Sequence, residues 1–310
     1  MKQYFDFTVT GKQLLPAWLL IWVFVYIPNG VNQYITSMHL SLGFNKTQDL
    51  IYQLGLMLVS YLVIFFFIKK VIEGVRYKEH NVKVDLDFFS YLTSVLVGFL
   101  LTIVTLGFYS PWFIRKITRL FCNNSTLDSE GFQFLGSGGK LLLIMLGFFI
   151  PLVILLIGYS IYAALGSPSS IAEFGIIPIV LIITLAFVYY FYKWFVDVDY
   201  KDYHIEWETE FWDSFGVILM QLLLTIVTLG IYLPMAYLRL YEYFSERTIA
   251  RSEDVTLQFG FEYETKRDFL FIWGQLLLTL VTLGIYYPWA FANVGKRFLS
   301  QTYLEKVEDE

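Results

Sequence analysis

The chain has 310 residues, 57% of them hydrophobic and 16% charged, with a formal net charge of −5. That composition excludes an ordinary soluble enzyme and belongs to polytopic helical membrane proteins. The small net charge gives no case for a nucleic-acid partner. A single cysteine, Cys122, excludes an intramolecular disulfide and a cysteine-built metal site. Aromatic residues reach 20% of the chain, and amphipathic rings are favoured at membrane interfaces. The N-terminal residues lack a short apolar stretch followed by a small-residue cleavage site, so no removable signal peptide is expected.

Five short stretches alternate in the manner of strands: residues 4–10, 81–87, 131–135, 203–210 and 255–262. Each is followed within about ten residues by an apolar run. The predicted unit is therefore strand, helix, break, helix, written five times. Units one and three have long helices, near 13–28 with 50–68 and near 140–163 with 174–195. These are long enough to cross about 30 Å of hydrocarbon at about 1.5 Å per residue. Units two, four and five share another signature. There the apolar run ends in Thr105-Leu-Gly-Phe-Tyr-Ser-Pro-Trp112, Thr228-Leu-Gly-Ile-Tyr-Leu-Pro-Met235 or Thr282-Leu-Gly-Ile-Tyr-Tyr-Pro-Trp289. The second helix after each is short and amphipathic.

Self-comparison points to a tandem repeat. Thr105 and Thr228 are 123 positions apart, and the same offset carries Tyr77-Lys78 onto Tyr200-Lys201 and Phe88 onto Phe211. Nearby offsets carry Lys69 onto Lys193, Phe5-x-Phe7 onto Phe132-x-Phe134, and Gly11-Lys12 onto Gly139-Lys140. The expected domains are two long repeats, 1–130 and 131–254, and a half repeat, 255–310.

The triplicated motif supplies the candidate site residues: Thr105, Gly107, Tyr109, Pro111 and Trp112; Thr228, Gly230, Tyr232 and Pro234; Thr282, Gly284, Tyr286, Pro288 and Trp289. Proline cannot continue the helical ladder, and glycine before it suits a positive φ or a close backbone approach. One reading is a re-entrant element lining a path, with exposed backbone groups at helix ends as in transporters. The other is a tight turn whose Tyr and Trp anchor the interface. On either reading valine at these glycines should cost more than at Gly98, which reads as an ordinary helix position.

Charge bears on topology. With every apolar run spanning, the 22 Lys and Arg divide 12 to 10; with the three motif-bearing runs returning to their own side, 21 of 22 share one side and Lys46 stands opposite. The positive-inside rule favours the second arrangement, with strands and both termini cytoplasmic and the Gly166–Ser170 loop outside. Arg115, Lys116 and Arg119 share a helical face opposite Phe113, Ile117, Leu120 and Phe121, as an interfacial helix touching anionic headgroups would. Asp85 and Asp87, and Glu206, Glu208 and Glu210, read as solvated strand faces. His39, His80 and His204 stand alone in sequence, with no metal-ligand spacing. Gly136-Ser-Gly-Gly-Lys140 lacks phosphate-loop spacing and reads as a loop with a lysine at headgroup level. No catalytic constellation and no cofactor is expected.

The repeated Thr-Leu-Gly-(Ile/Phe)-Tyr-x-Pro-Trp, preceded by Phe-x-Phe stretches such as Phe132-x-Phe134, resembles the bacterial YjgN-like inner-membrane proteins. That is a family defined by a domain of unknown function. The likeness runs from about residue 84 to 303, and Met235 replaces the tryptophan in the middle copy. The resemblance implies a location in the bacterial cytoplasmic membrane and transfers no activity, substrate or catalytic residue. The expected fold is an all-α polytopic membrane protein with small cytoplasmic β elements, in five strand-plus-hairpin units. Two functions are expected: a channel-like or transporter-like conduit for a small solute or lipid lined by the broken helices, or a non-catalytic scaffold for envelope partners. The expected partners are membrane lipids, with a homo-oligomer or an envelope protein as alternatives.

Overall fold

The computed structural model describes residues 2–37, 46–166 and 170–307. His39 and residues 167–169 of the loop expected outside lie outside the described residues, as does the side chain of Lys46. In chain order the elements are β1 (Gln3–Phe7), α1 (Gly11–Ile21), a π-helical stretch (Trp22–Tyr26), α2 (Ile27–Ser37), α3 (Lys46–Glu73), β2 (Val75–Tyr77), β3 (His80–Asn81) and β4 (Lys83–Val84). Next come α4 (Phe88–Val104), α5 (Ser110–Asn123), β5 (Ser125–Leu127), β6 (Glu130–Phe134), α6 (Gly138–Leu165), α7 (Ser170–Phe195), β7 (Val198–Tyr200) and β8 (Tyr203–Trp207). Last are α8 (Phe211–Val227), α9 (Leu233–Ser245), β9 (Thr248–Arg251), β10 (Thr256–Phe261), α10 (Thr265–Val281), α11 (Tyr287–Leu299) and β11 (Thr302–Lys306). Two compact units result: residues 1–132 with 262–303, and 133–261 with 304–310.

The all-α expectation is corrected. The strands form an 11-stranded antiparallel sheet, in the order β3-β2-β1-β11-β10-β9-β8-β7-β6-β5-β4, and the described residues are 67% helix and 15% strand. Among the described residues four helical stretches are long and apolar enough to span a membrane: Gly11–Tyr34, Thr47–Glu73, Gly138–Ala164 and Gly175–Phe195, the same four long helices expected to cross. The physical reason is that every helix pair comes home to a strand. Five return strands, β2, β5, β7, β9 and β11, close the pairs. Three residues such as Ser125-Thr-Leu127 are too few to announce a period of two.

Pairing fixes where each helix pair begins and ends. In the first unit Phe7 opposes Val75 and Val84 opposes Ser125, so α1 to α3 and α4 to α5 each leave one strand and return to its neighbour. In the second unit Trp207 opposes Thr248 around α8 and α9, and Leu135 N–H donates to the Asp197 carbonyl around α6 and α7 (3.0 Å). Two-residue turns join the successive units, with Tyr77 opposite His80, Leu127 opposite Glu130 and Tyr200 opposite Tyr203. Asp128 (φ 53°) and Ser129 (φ 67°) both take positive φ, the geometry of a type I′ turn that matches strand twist.

Local chemistry sets the helix starts. The Asp87 carboxylate accepts from Ser90 N–H (3.0 Å), the Ser137 hydroxyl from Lys140 N–H (3.1 Å), and Gln13 Oε1 from Thr10 N–H (2.9 Å). Each satisfies a donor the first turn would otherwise leave unpaired. Beneath the sheet, in the first unit, Phe65, Tyr91, Phe113 and Phe121 bury one another with Val84, Leu86 and Val95. A second small cluster joins Phe7, Val9, Leu14 and Ala292. Phe7, Phe134 and Phe261 are the buried members of the Phe-x-Phe strands.

Candidate functional site: helix breaks and a graded cavity

All three breaks have one geometry. After α4, Leu106 (φ 50°) and Gly107 (φ 90°) turn the chain over; Leu229 and Gly230, and Leu283 and Gly284, repeat this with φ of 51° and 87°, and of 50° and 87°. Gly107 N–H reaches back to the Thr102 carbonyl (2.7 Å) and Leu106 N–H to Ile103 (3.0 Å). That pair of bonds is a Schellman closure, here with a leucine at the left-handed position that glycine usually takes. The threonine completes the accounting. Thr105 Oγ1 donates to the Leu101 carbonyl (2.7 Å) and accepts from Tyr109 N–H (3.0 Å), with the same two distances at Thr228 and Thr282. Pro111, Pro234 and Pro288 then sit fully buried in the first turn of the return helix, where no N–H is missed.

These bonds satisfy the helix ends internally. The breaks therefore offer few free backbone dipoles to an ion. Instead they present apolar tips, with Leu106 96%, Leu229 93% and Leu283 80% exposed. The rings of Tyr109 and Trp112 stack behind the first tip (centroids 6.2 Å) and those of Tyr286 and Trp289 behind the third (6.0 Å). Trp289 also occupies the space a side chain on Gly11 would need (2.5 Å), and Trp18 Nε1 donates to the Gly284 carbonyl (3.0 Å). Inside the second and third pairs a glutamine meets the motif tyrosine. Tyr232 Oη donates to Gln221 Oε1 (2.9 Å) and Tyr286 Oη to Gln275 Oε1 (3.3 Å). In the first pair Gly98 stands there, and a Cβ on it would lie 2.2 Å from the Phe113 ring. Gly98 is thus a close-packed position and not the ordinary one the sequence suggested.

On α5, Lys116 and Arg119 are exposed and Arg115 is half-buried, while Phe113 and Phe121 on the other face are buried. Asp87 serves as a helix cap, and Glu206 and Glu208 face Arg251 (3.9 and 3.2 Å).

Sequence inspection missed a second feature, in the second unit. A cavity of about 660 Å³ lies where α6 and α7 meet the sheet, lined on its polar side by Lys140, Lys193, Asp197, His204 and Glu206. Tyr189, Trp194, Trp207 and Phe211 form its walls. It shares Leu143, Ile144 and Tyr190 with an apolar cavity of about 430 Å³ between α6 and α7. None of the break residues lines either one. Lys193 Nζ donates to the Thr209 carbonyl (2.7 Å), and Tyr189 Oη lies 3.1 Å from the same oxygen. His204, alone in sequence, is not alone in space. Its Nδ1 is 2.8 Å from Asp199, and its Nε2 is 3.8 Å from Asp197 and 3.7 Å from Glu206. The one available signal was the recurrence of Lys69 and Gly11-Lys12 as Lys193 and Gly139-Lys140, which marked these lysines as repeated without showing that they converge.

Long apolar helices rooted in a sheet fit a protein resident in a membrane. Residues 87–201 match the family model described as "Bacterial protein of unknown function (DUF898)". The chain is similar to the inner membrane protein YjgN of Salmonella typhimurium (strain LT2), at 39% identity over 64 residues, 21% of this chain and 16% of that protein. Together they support a YjgN-like inner-membrane family, as the repeated motif implied, and with the apolar helices they support an inner-membrane location. No solved structure matches the chain significantly.

Proposed function

We propose that this is a non-enzymatic inner-membrane protein that binds and conducts lipid-like amphiphiles. The observation that carries the reading is the graded groove of the second unit, apolar between α6 and α7 and charged where they meet the sheet. A water-filled ion path would need polar lining at membrane depth, whereas the upper cavity is walled by Ile182, Phe148 and Phe187.

The three broken pairs are read as re-entrant. α6 has 28 residues and α8 has 17, and both rise from strands of one unit. At about 1.5 Å per residue, α8 ends some 16 Å short of α6, about half the roughly 30 Å hydrocarbon thickness. If α6 just reaches the far surface, the Leu229 tip rests near the midplane. The termini and strands then lie in the cytoplasm, with 21 of 22 basic residues. The shared break geometry supports a repeat of the strand-plus-hairpin unit. A second reading, a scaffold docking envelope partners or a second copy, draws on the same exposed tips.

The test is reconstitution of the purified full chain in vesicles, following fluorescent lipid movement between leaflets beside flux of a water-soluble dye. Lipid movement several-fold above protein-free vesicles, without dye flux, is the expected result. Dye flux without lipid movement would replace this reading with a solute channel, and neither would leave the scaffold.

A further inference from the structure

We infer that the cavity at the foot of α6 and α7 seats the headgroup of a glycerophospholipid carrying a primary ammonium, with its acyl chains in the apolar groove above; this rests on the amphiphile reading just given. The order of chemistry along the groove is the order along such a molecule. Ile183 and Phe187 line the apolar part, Tyr190 is common to both parts, Lys140 and Lys193 follow at the ends of their helices, and Asp197 and Glu206 lie on the sheet side. Acyl chain, phosphate and ammonium follow one another in that sequence.

Each group finds a counterpart. Lys193 uses one of its three N–H donors on Thr209 and keeps two. Lys140 lies 4.0 Å from Asp197 with its side chain largely exposed, so it can turn to a phosphate. The carboxylates of Asp197 and Glu206 accept from N–H groups, which a primary ammonium has and a quaternary one lacks. A headgroup without a cation would bring a net negative lipid up to two carboxylates, a like-charge cost. Trp207 and Tyr189 also line this charged part of the cavity. Gly147 lines the apolar part, and a Cβ there would meet nothing within 4 Å, so the groove has room for a chain.

The experiment uses the full chain in vesicles of equal parts phosphatidylethanolamine, phosphatidylcholine and phosphatidylglycerol, each in turn carrying a photoreactive acyl chain. Label is mapped by peptide mass spectrometry. The peptide spanning Ile182–Phe187 should take about tenfold more label from phosphatidylethanolamine than from either other lipid, a preference of about 1.4 kcal/mol. Asp197→Asn with Glu206→Gln should bring that lipid down to the level of phosphatidylcholine. Lys140→Gln, at an exposed side chain, should lower label from all three, since each carries a phosphate. Gly147→Phe, which fills the apolar part from a position where an added Cβ meets nothing, should remove label from this peptide. Equal labelling by the three lipids in the wild type would overturn the headgroup assignment while leaving the amphiphile reading. No label on this peptide from any lipid would overturn both. Competition by free glycerophosphoethanolamine as strong as by the lipid would assign a soluble ligand instead.

Discussion

Leu106, Leu229 and Leu283 hold a left-handed conformation that costs a side-chain-bearing residue about 1 kcal/mol or more. Nothing in the turn requires leucine, since glycine would close the same Schellman bonds. Retaining a strained, exposed apolar side chain at all three tips makes sense if the tip meets hydrocarbon. Leu229→Gly should therefore be nearly neutral in detergent, where relief of strain offsets the roughly 0.5–1 kcal/mol entropy cost of glycine. Its penetration into vesicles, read by quenching of a nearby fluorophore with lipid-borne quenchers, should fall. Equal penetration would mean the tip is not buried in lipid. The neighbouring glycines behave differently. Gly107, Gly230 and Gly284 lie at φ of 87° to 90°, so valine there should cost about 1–3 kcal/mol through backbone strain. The suitable control is Gly216 in α8, where a Cβ meets nothing within 4 Å; Gly98 would fail by collision with Phe113. A thermal shift for Gly230→Val no larger than for Gly216→Val would refute the strain account.

At the scale of the helix pair, stability rests on what joins the two legs near the sheet. Tyr91, Ser214 and Asp268 hold corresponding places in α4, α8 and α10, and all three are fully buried. Tyr91 Oη donates to the Tyr61 carbonyl (2.8 Å), and Ser214 Oγ lies 3.3 Å from Tyr243 Oη. Asp268 instead takes Arg297 Nε (2.5 Å), Gln301 Nε2 (2.9 Å) and its own Glu264 N–H (2.8 Å). One place in the unit thus has an aromatic, a hydroxyl and an ionic solution. Removing Arg297 leaves the fully buried Asp268 with only the exposed Arg267 at 4.0 Å, so Arg297→Leu should destabilise by about 3 kcal/mol. The double change Asp268→Leu with Arg297→Leu should cost clearly less, because no buried charge remains and the exposed Arg267 keeps Glu264. Thermal unfolding of the two variants in one detergent decides it; equal losses would show that packing, not charge, holds this pair.

For the whole molecule, the return of every helix pair to a neighbouring strand constrains topology more than hydropathy does. Exposed turn positions Ser129, Asp202 and Glu253 should all react with an impermeant thiol reagent from the cytoplasmic side when replaced by cysteine, in a chain lacking Cys122. Gly166→Cys should react from the opposite side. Ser125 and Ser245 would be poor labelling sites, since both are buried. Labelling of position 129 and position 166 from the same side would break the spanning assignment of α6.

Composition and periodicity by themselves determined the membrane class, the two long helix pairs and the three reversals. Those are local properties: about twenty apolar residues, or a Gly-x-Tyr-x-Pro, carry their meaning wherever they stand. Five of the strand stretches were also legible, because alternation of apolar and polar residues is written over five or more residues. The return strands were not, being three to five residues whose only strong requirement is a partner supplied by a distant stretch, as Ser125 is by Val84. For the same reason a chain read as all-α closes into an 11-stranded sheet. The swap of Gly98 beneath Phe113 for Gln221 beside Tyr232 also shows only in three dimensions, since volume is shared between legs fifteen or eleven residues apart. Tertiary structure alone brought Lys140, Lys193 and His204 to one cavity, because convergence of charges from two helices and a strand depends on where the sheet roots them and not on any spacing along the chain.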